Sequence, residues 1–152
     1  IIALLTQQEL LVAEIYRFLS GLYPDLRDFW NDVAKEEMEF ATWIEYLYKK
    51  AMTDDMVFQE DKIKTYTVES FLKYLQDNLV KIKAKAPTPK AAFSLALSIE
   101  NSLLIKKSFD HFQSSNEELC ALLATLRGKR QEHRIRIEVQ SRPFGSPVTG
   151  VK

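Results

Sequence analysis

Residues 9–47 read ELLVAEIYRFLSGLYPDLRDFWNDVAKEEMEFATWIEYL. Apolar side chains recur every three or four positions on both sides of a short turn at Gly21, which is the period of an amphipathic α-helix. Glycine suits the end of the first helix, and Asp25 is a suitable N-cap for the next one. The stretch therefore predicts a helical hairpin, with helices over about 6–20 and 25–52.

One charged residue of this hairpin, Glu37, lies at the centre of the apolar stripe of the second helix. Its neighbours on that face are Leu26, Trp30, Val33, Ile44 and Tyr48. A buried carboxylate loses its hydration, and the loss is tolerated only where a metal, a cation, a proton or a set of hydrogen bonds replaces the water. Glu37 is therefore the first candidate for a functional residue.

The rest of the chain continues the helical period, and only four glycines and five prolines interrupt it. No segment shows a sustained alternation of the strand type. We expect three further helices, over about 67–84, 90–112 and 116–139. The last of these begins at Asn116, a good N-cap. Residues 141–152 have the composition of a linker and are expected to form a mobile C-terminal tail, which leaves 1–140 as a single all-α domain.

A faint internal repeat relates two of the predicted helices. It consists of VAKEEMEF at 33–40 and LRGKRQEH at 126–133, each preceded by a helix with a buried glutamate. Two helical hairpins of similar design, joined by a long connection, predict a four-helix bundle with an extra helix in the crossover. At about 1.5 Å per residue, the helix over 67–84 spans roughly the length of a bundle, so it can return the chain to the end where the second hairpin starts.

The charge balance and the cysteine content indicate which partners and which cellular compartment to expect. Twenty-one basic residues balance 21 acidic ones, so the chain has no net field to attract nucleic acid or an anionic membrane. No apolar run is long enough to span a bilayer. The single cysteine, Cys120, cannot form an intramolecular disulfide and favours a reducing, cytoplasmic location. We therefore expect neither nucleic acid nor a membrane as a partner.

A small set of polar residues shares the apolar faces of the helices when each is projected at about 100° per residue. The set comprises Glu9, Glu37, Glu100, Arg130 and His133. Lys107 and His111 continue the face of Glu100, whereas Glu36 and Glu39 project to the margins and are expected to be solvated. Each of the last two residues of this set has an alternative explanation that stays open. Arg130 extends to solvent along its aliphatic stem. His133 is a hydrogen-bonded core histidine and not a ligand.

The two hairpins resemble those of rubrerythrin-like members of the ferritin-like superfamily. The resemblance rests on residues 9–47 for the first hairpin, and on ALSIENSLLIKKSFDHF at 96–112 and LRGKRQEHRIRI at 126–137 for the second. In that family, single glutamates from two helices and a Glu-x-x-His pair from each of the other two hold a dinuclear iron or manganese centre. The resemblance implies a ferritin-like four-helix bundle in which Glu9 and Glu100 match the single glutamates.

The chain departs from that motif at two positions. Glu37 matches the glutamate of the first Glu-x-x-His pair, but Phe40 stands at its histidine position. His133 matches the histidine of the second pair, but Arg130 stands at its glutamate position. Arginine stays protonated and cannot ligate a metal, whereas its guanidinium can form paired hydrogen bonds with carboxylates. We therefore expect a buried salt-bridge network in place of the two metals.

Two functions are compatible with this pattern. The first is a non-catalytic binding or interaction module that needs no cofactor, with a bundle centre that is filled or holds a small apolar ligand. The second is a metal-binding protein of the oxidoreductase type that keeps one Fe, Mn or Zn ion on a partial site. The ligands of that site would be Glu9, Glu37, Glu100 and His133. The partner of such a module would be a second copy in a homodimer or another protein. Phe18 and Phe109, on outward faces, indicate either a dimer surface or packing against the crossover helix.

Overall fold

Five α-helices form most of the protein in a computed structural model that describes residues 1–53, 56–106 and 108–145. In chain order they are α1 (Ile2–Ser20), α2 (Arg27–Ala51), α3 (Thr65–Ala84), α4 (Pro89–Lys106) and α5 (Glu117–Ser141). The predicted all-α class is confirmed, and the helices pack as a bundle.

Four of the helices pair as two antiparallel hairpins. In the first, Tyr16 near the end of α1 packs on Trp30 near the start of α2, with ring centroids 5.6 Å apart. In the second, Phe144 just beyond α5 stacks on Phe93 near the start of α4, with centroids 5.3 Å apart. The last turn of one helix therefore lies against the first turn of its partner in each hairpin.

The third helix lies in the connection between the hairpins and packs along α1. Its first turns contribute Val68 and Leu72 to the hydrophobic core at one end of the bundle. Its last turns contribute Leu79 and Ile82 to the core at the other end. The chain thus travels along the length of the bundle in α3, as expected, before α4 begins.

The starts of the helices test the predicted caps. α1 begins at Ile2, earlier than expected, because Ile2 and Leu4 pack against a hydrophobic core and extend the helix. Asp25 is not the cap of α2, since a 3-10 turn precedes that helix and makes Leu26 its N-cap. Asn116 is the N-cap of α5, as predicted, and its Oδ1 accepts a hydrogen bond from a first-turn N–H at 3.2 Å.

The fourth helix is shorter than predicted. After Lys106 the chain forms a 3-10 turn (Ser108–His111) and a short strand, β2 (Phe112–Gln113), which pairs antiparallel with β1 (Val57–Phe58). Phe58 lies opposite Phe112 in this ladder, with ring centroids 4.8 Å apart. Strands of two residues are too short to leave an alternating sequence pattern, so the helical period alone could not predict them. His111 consequently lies at the end of the bundle and not on the face of Glu100.

Two hydrophobic cores fill the two ends of the bundle. The first core includes Trp30 and Phe93, and the second includes Ile44 and Phe112. Because α1, α2 and α5 contribute residues to both cores, each of these helices passes through the region between them. A polar layer occupies that region, and its members are Glu9, Tyr16, Glu37, Glu100, Arg130 and His133.

One prediction about the surface changes with the structure. The prediction that Phe109 lies on an outward face is wrong, because this side chain is only 3% exposed and belongs to the second core. The helix α4 ends before Phe109, so the helical projection does not apply to it. Phe18 is half-buried against the first core. Lys107 and residues 146–152 of the predicted tail lie outside the described residues. Within the described ranges, no helix is both long enough and apolar enough to cross a bilayer.

Candidate functional site

The polar layer brings together the five polar residues that the helical projection singles out. Glu9 lies on α1, Glu37 on α2, Glu100 on α4, and Arg130 and His133 on α5. The three glutamates and the histidine are 0% exposed, and the arginine is 5% exposed. The helical period that buries the apolar stripe of each helix also places these side chains inside the bundle.

Arg130 points into the layer and meets carboxylates from three helices. Its Nη2 donates to Glu9 Oε1 at 2.5 Å, and its Nη1 donates to the two Glu37 oxygens at 3.1 and 3.2 Å. Nη1 also lies 3.7 Å from Glu100 Oε1. The guanidinium carbon stands 4.0 Å from the centroid of the Phe40 ring, a cation–π contact. The alternative in which Arg130 extends to solvent is therefore wrong.

His133 has carboxylates at both of its ring nitrogens. Nδ1 lies 2.6 Å from Glu36 Oε1, and Nε2 lies 2.7 Å from Glu37 Oε2 and 3.1 Å from Glu100 Oε2. The pKa values of Glu36 and Glu100 lie below the usual value, so these two carboxyls are ionised and only accept hydrogen bonds. Both ring nitrogens therefore donate, and the ring is an imidazolium. Burial opposes this charge, but Glu100 and Glu37 outweigh it and raise the pKa of His133 well above its usual value.

The pKa values of Glu9 and Glu100 shift in opposite directions from the usual value of a glutamate. Burial raises the pKa of Glu9 to about 8, although Arg130 opposes the shift. Burial also acts on Glu100, but His133 and Arg130 together hold the pKa of that carboxyl below its usual value. Near neutral pH, Glu9 is therefore mostly protonated. The cations of Arg130 and His133 lie against the carboxyl groups of Glu37 and Glu100, so the layer contains its own counter-charges.

The position of Glu36 at the margin of its helix predicts a solvated charge, which is wrong. Its carboxylate is half-buried and accepts hydrogen bonds from His133 Nδ1 and from Arg136 Nη2. Burial opposes its ionisation, yet His133 and Arg136 lower the pKa of Glu36. A helical projection describes α2 alone, whereas both partners lie on α5. Glu39, by contrast, is exposed as expected.

Tyr16 is a member of the layer that the sequence places only in the apolar core. Its hydroxyl donates to Glu100 Oε2 at 2.5 Å. Burial, together with the nearby Glu100 and Glu37 charges, raises the pKa of Tyr16 well above its usual value, so the phenol keeps its proton. The available signal was its place on the buried face of α1 beside Glu9, because a buried tyrosine normally finds a hydrogen-bond partner.

The possible ligand atoms of the layer suit one metal ion but not two. Glu37, Glu100 and His133 offer ligand atoms within 4.8 Å of one another, which suits a single ion. Glu9 does not belong to this group; it is hydrogen-bonded to Arg130 instead. A second ion would need the space and the carboxylates that the guanidinium of Arg130 occupies, so the layer does not fit a dinuclear centre.

No protein-family model, curated protein or solved structure matches the chain.

Proposed function

We propose that the chain is a rubrerythrin-like, ferritin-like bundle in which an internal ion-pair network replaces the dinuclear metal centre. We further propose that it acts as a non-catalytic binding or interaction module that needs no cofactor. One observation carries the proposal: Arg130 lies among Glu9, Glu37 and Glu100, with hydrogen bonds to the first two.

Electrostatics favours this arrangement over a pair of metals. A dinuclear carboxylate site needs about four anionic ligands, and here a permanent cation replaces one of them. A divalent ion and a guanidinium about 4 Å apart repel by about 8 kcal/mol at an effective dielectric constant of about 20. The guanidinium already neutralises carboxylate charge, so the bundle centre is balanced without metal.

The burial of the layer supports a non-catalytic role. The carboxyls of Glu9, Glu37 and Glu100 are 0% exposed and pair with side chains of the protein itself. Phe40 covers Arg130 and meets the His133 ring edge-on, with centroids 5.7 Å apart. A substrate would have to displace these partners to reach a carboxylate. Binding at the surface of the bundle needs no such rearrangement.

A second candidate function is favoured by the grouping of Glu37, Glu100 and His133. The Nδ1 atom of His133 donates to Glu36, which is how metal-bound histidines are normally oriented. Glu100 Oε1 is buried and accepts no hydrogen bond from the described residues. These three residues would hold a single Fe, Mn or Zn ion, which would supply Lewis-acid chemistry or, for iron and manganese, one-electron transfer.

Elemental analysis separates the two candidates. Protein purified without chelator is analysed for iron, manganese and zinc, and then receives iron(II) in air while its absorbance is followed. We expect well below one ion per chain and no ferric absorbance. One ion per chain that is lost in His133→Gln, but kept in His111→Gln, would establish the second candidate. Two ions with the absorbance of a bridged ferric pair would refute the first.

The partner and the compartment are part of the same proposal. Ile135 and Val139 stand one turn apart on α5 and are 52% and 47% exposed, so we propose this face for a protein partner or a homodimer. Cys120 is exposed and forms no disulfide, which favours a reducing cytoplasm. Light scattering of the purified protein and of Ile135→Lys would test the homodimer, since a charge at the interface should give monomers.

A further inference from the structure

A cleft of about 220 Å³ opens where the start of α1 meets the start of α3. Leu5, Ile63 and Val68 supply its apolar wall, and Lys62 and Lys64 stand at its rim with exposed side chains. The cleft belongs to the end of the bundle that holds the second core, and it borders the polar layer through Gln8, the residue next to Glu9. An apolar wall with a few polar groups is the usual composition of a small-molecule site.

The inner wall of the cleft contains a polar side chain that lacks a partner. Gln8 lines the cleft and is 0% exposed. Its Nε2 lies 3.5 Å from Glu9 Oε2, but its Oε1 accepts no hydrogen bond from any part of the chain that the structure describes. Buried amide oxygens in native proteins nearly always have a donor. The acceptor of Gln8 is therefore available to a donor that a ligand or a bound water supplies.

The rim of the cleft is positive. Lys62 and Lys64 contribute two ammonium groups, and Lys64 is also the N-cap of α3. That helix has no side-chain cap and no acidic residue in its first turn, and the acidic residues just before it, Glu60 and Asp61, do not line the cleft. The partial positive charge of the helix N-terminus therefore adds to that of the two lysines. The first turn contributes Thr67 and Val68 to the lining of the cleft. An anionic group is therefore favoured at the outer end.

We propose that this cleft binds a small amphipathic carboxylate that carries a hydroxyl or N–H donor. The apolar body packs on Leu5 and Val68, the carboxylate lies near Lys62 and Lys64, and the donor at the inner end reaches Gln8 Oε1. The site goes beyond the function proposed for the polar layer and does not depend on whether that layer holds a metal.

The probe for the test is para-hydroxyphenylacetate, which has a carboxylate at one end and a phenolic donor at the other. It is titrated into the full chain while backbone amide shifts are followed by NMR. We expect saturable shifts that are largest around the cleft, at Leu5, Gln8 and Thr67. Phenylacetate, which lacks the donor, should bind about five-fold more weakly. Para-hydroxyphenylethanol, which lacks the charge, should bind at least about ten-fold more weakly.

Two variants connect these preferences to the side chains. Gln8→Leu removes the acceptor at similar volume and should abolish the preference for the hydroxylated acid over phenylacetate. Lys62→Gln combined with Lys64→Gln should abolish the preference for the acid over the alcohol. Lys85→Gln, beyond the far end of α3, is the matched control and should change neither preference.

The outcomes that overturn the proposal are equally specific. One is the absence of saturable shifts with all three probes at millimolar concentration. The other is binding whose two preferences survive both the Gln8 and the lysine variants. Circular dichroism of each variant confirms that it is folded. Gln8→Leu should stay close to the parent in stability, because it removes a buried, unpaired amide oxygen and also the long contact of Nε2 with Glu9.

Discussion

The second helices of the two hairpins, α2 and α5, each place two side chains of the polar layer or its border one turn apart, but the charges of these side chains differ in sign. α2 has Glu37 and Phe40 one turn apart, and α5 has Arg130 and His133 at the same spacing. Each member of one pair contacts both members of the other. The Glu37 carboxylate meets Arg130 Nη1 and His133 Nε2, while the Phe40 ring lies under the guanidinium and against the edge of the imidazole. The pairs are therefore complementary in charge and in shape.

This complementarity explains why the bundle tolerates so many buried charges. If both pairs had been acidic, the layer would need cations from solution to hold it together. Here the second hairpin supplies two cations. The same contrast extends to the single glutamates, because Glu9 gains a proton while Glu100 keeps its charge. A change in one hairpin should therefore be costly unless the other hairpin changes with it.

Removing the cation of the second hairpin should break this balance most severely. We expect Arg130→Ala to lower the free energy of unfolding by about 3–5 kcal/mol, because it leaves buried carboxylates without their counter-charge. Urea unfolding followed by circular dichroism measures the change. Arg136→Ala is the control: this side chain is 43% exposed and pairs with Glu36, so its loss should cost less than about 1 kcal/mol. Equal costs would contradict the internal role of Arg130.

The protonated state of Glu9 predicts an unusual dependence of stability on pH. A carboxyl with a pKa of about 8 in the folded chain and about 4.5 in the unfolded chain holds its proton more tightly when folded. Its contribution is complete below pH 4.5 and is lost as the pH rises towards 8. The pKa of His133 is also raised, so His133 likewise loses its contribution to stability as the pH rises above its usual pKa. Unfolding free energy should therefore fall, by up to about 1.4 kcal/mol per pH unit from Glu9 alone.

Substitution of Glu9 isolates this contribution. Glu9→Gln imitates the protonated carboxyl, so the variant should show a flatter profile between pH 4.5 and 8 and should exceed the parent in stability near pH 8. Glu14→Gln, an exposed change on the same helix, should keep the slope of the parent. Denaturant titrations at several pH values provide the measurement. Parallel profiles for the parent and Glu9→Gln would refute the assignment of the proton.

The residues of the layer could be predicted because a helix has one fixed period. That period alone predicts that Glu9, Glu37, Glu100 and His133 lie on buried faces. It left the direction of Arg130 open, since a long side chain on a buried face can still reach solvent. Only the packing of α5 against the other helices decides that its guanidinium turns inward.

The features that the helical period does not predict depend on contacts between separate elements. Glu36 is marginal on its own helix and becomes part of the site only because α5 brings His133 and Arg136 to it. Phe109 is buried because α4 ends early and the chain after it pairs with a distant strand. Neither event leaves a periodic signal. The all-α class followed from local pattern, whereas these details follow from tertiary packing.

The smallest expected effect tests the contact between Tyr16 of the first hairpin and Glu100 of the second. Tyr16→Phe keeps the ring packed on Trp30 but removes the hydroxyl that donates to Glu100 Oε2. Because His133 Nε2 still lies 3.1 Å from the same oxygen, we expect a loss of only about 1 kcal/mol in unfolding free energy. Tyr46→Phe, with a ring that is 40% exposed, should change stability by less than about 0.5 kcal/mol. Urea unfolding followed by tryptophan fluorescence resolves the two, and equal losses would mean that His133 alone satisfies Glu100.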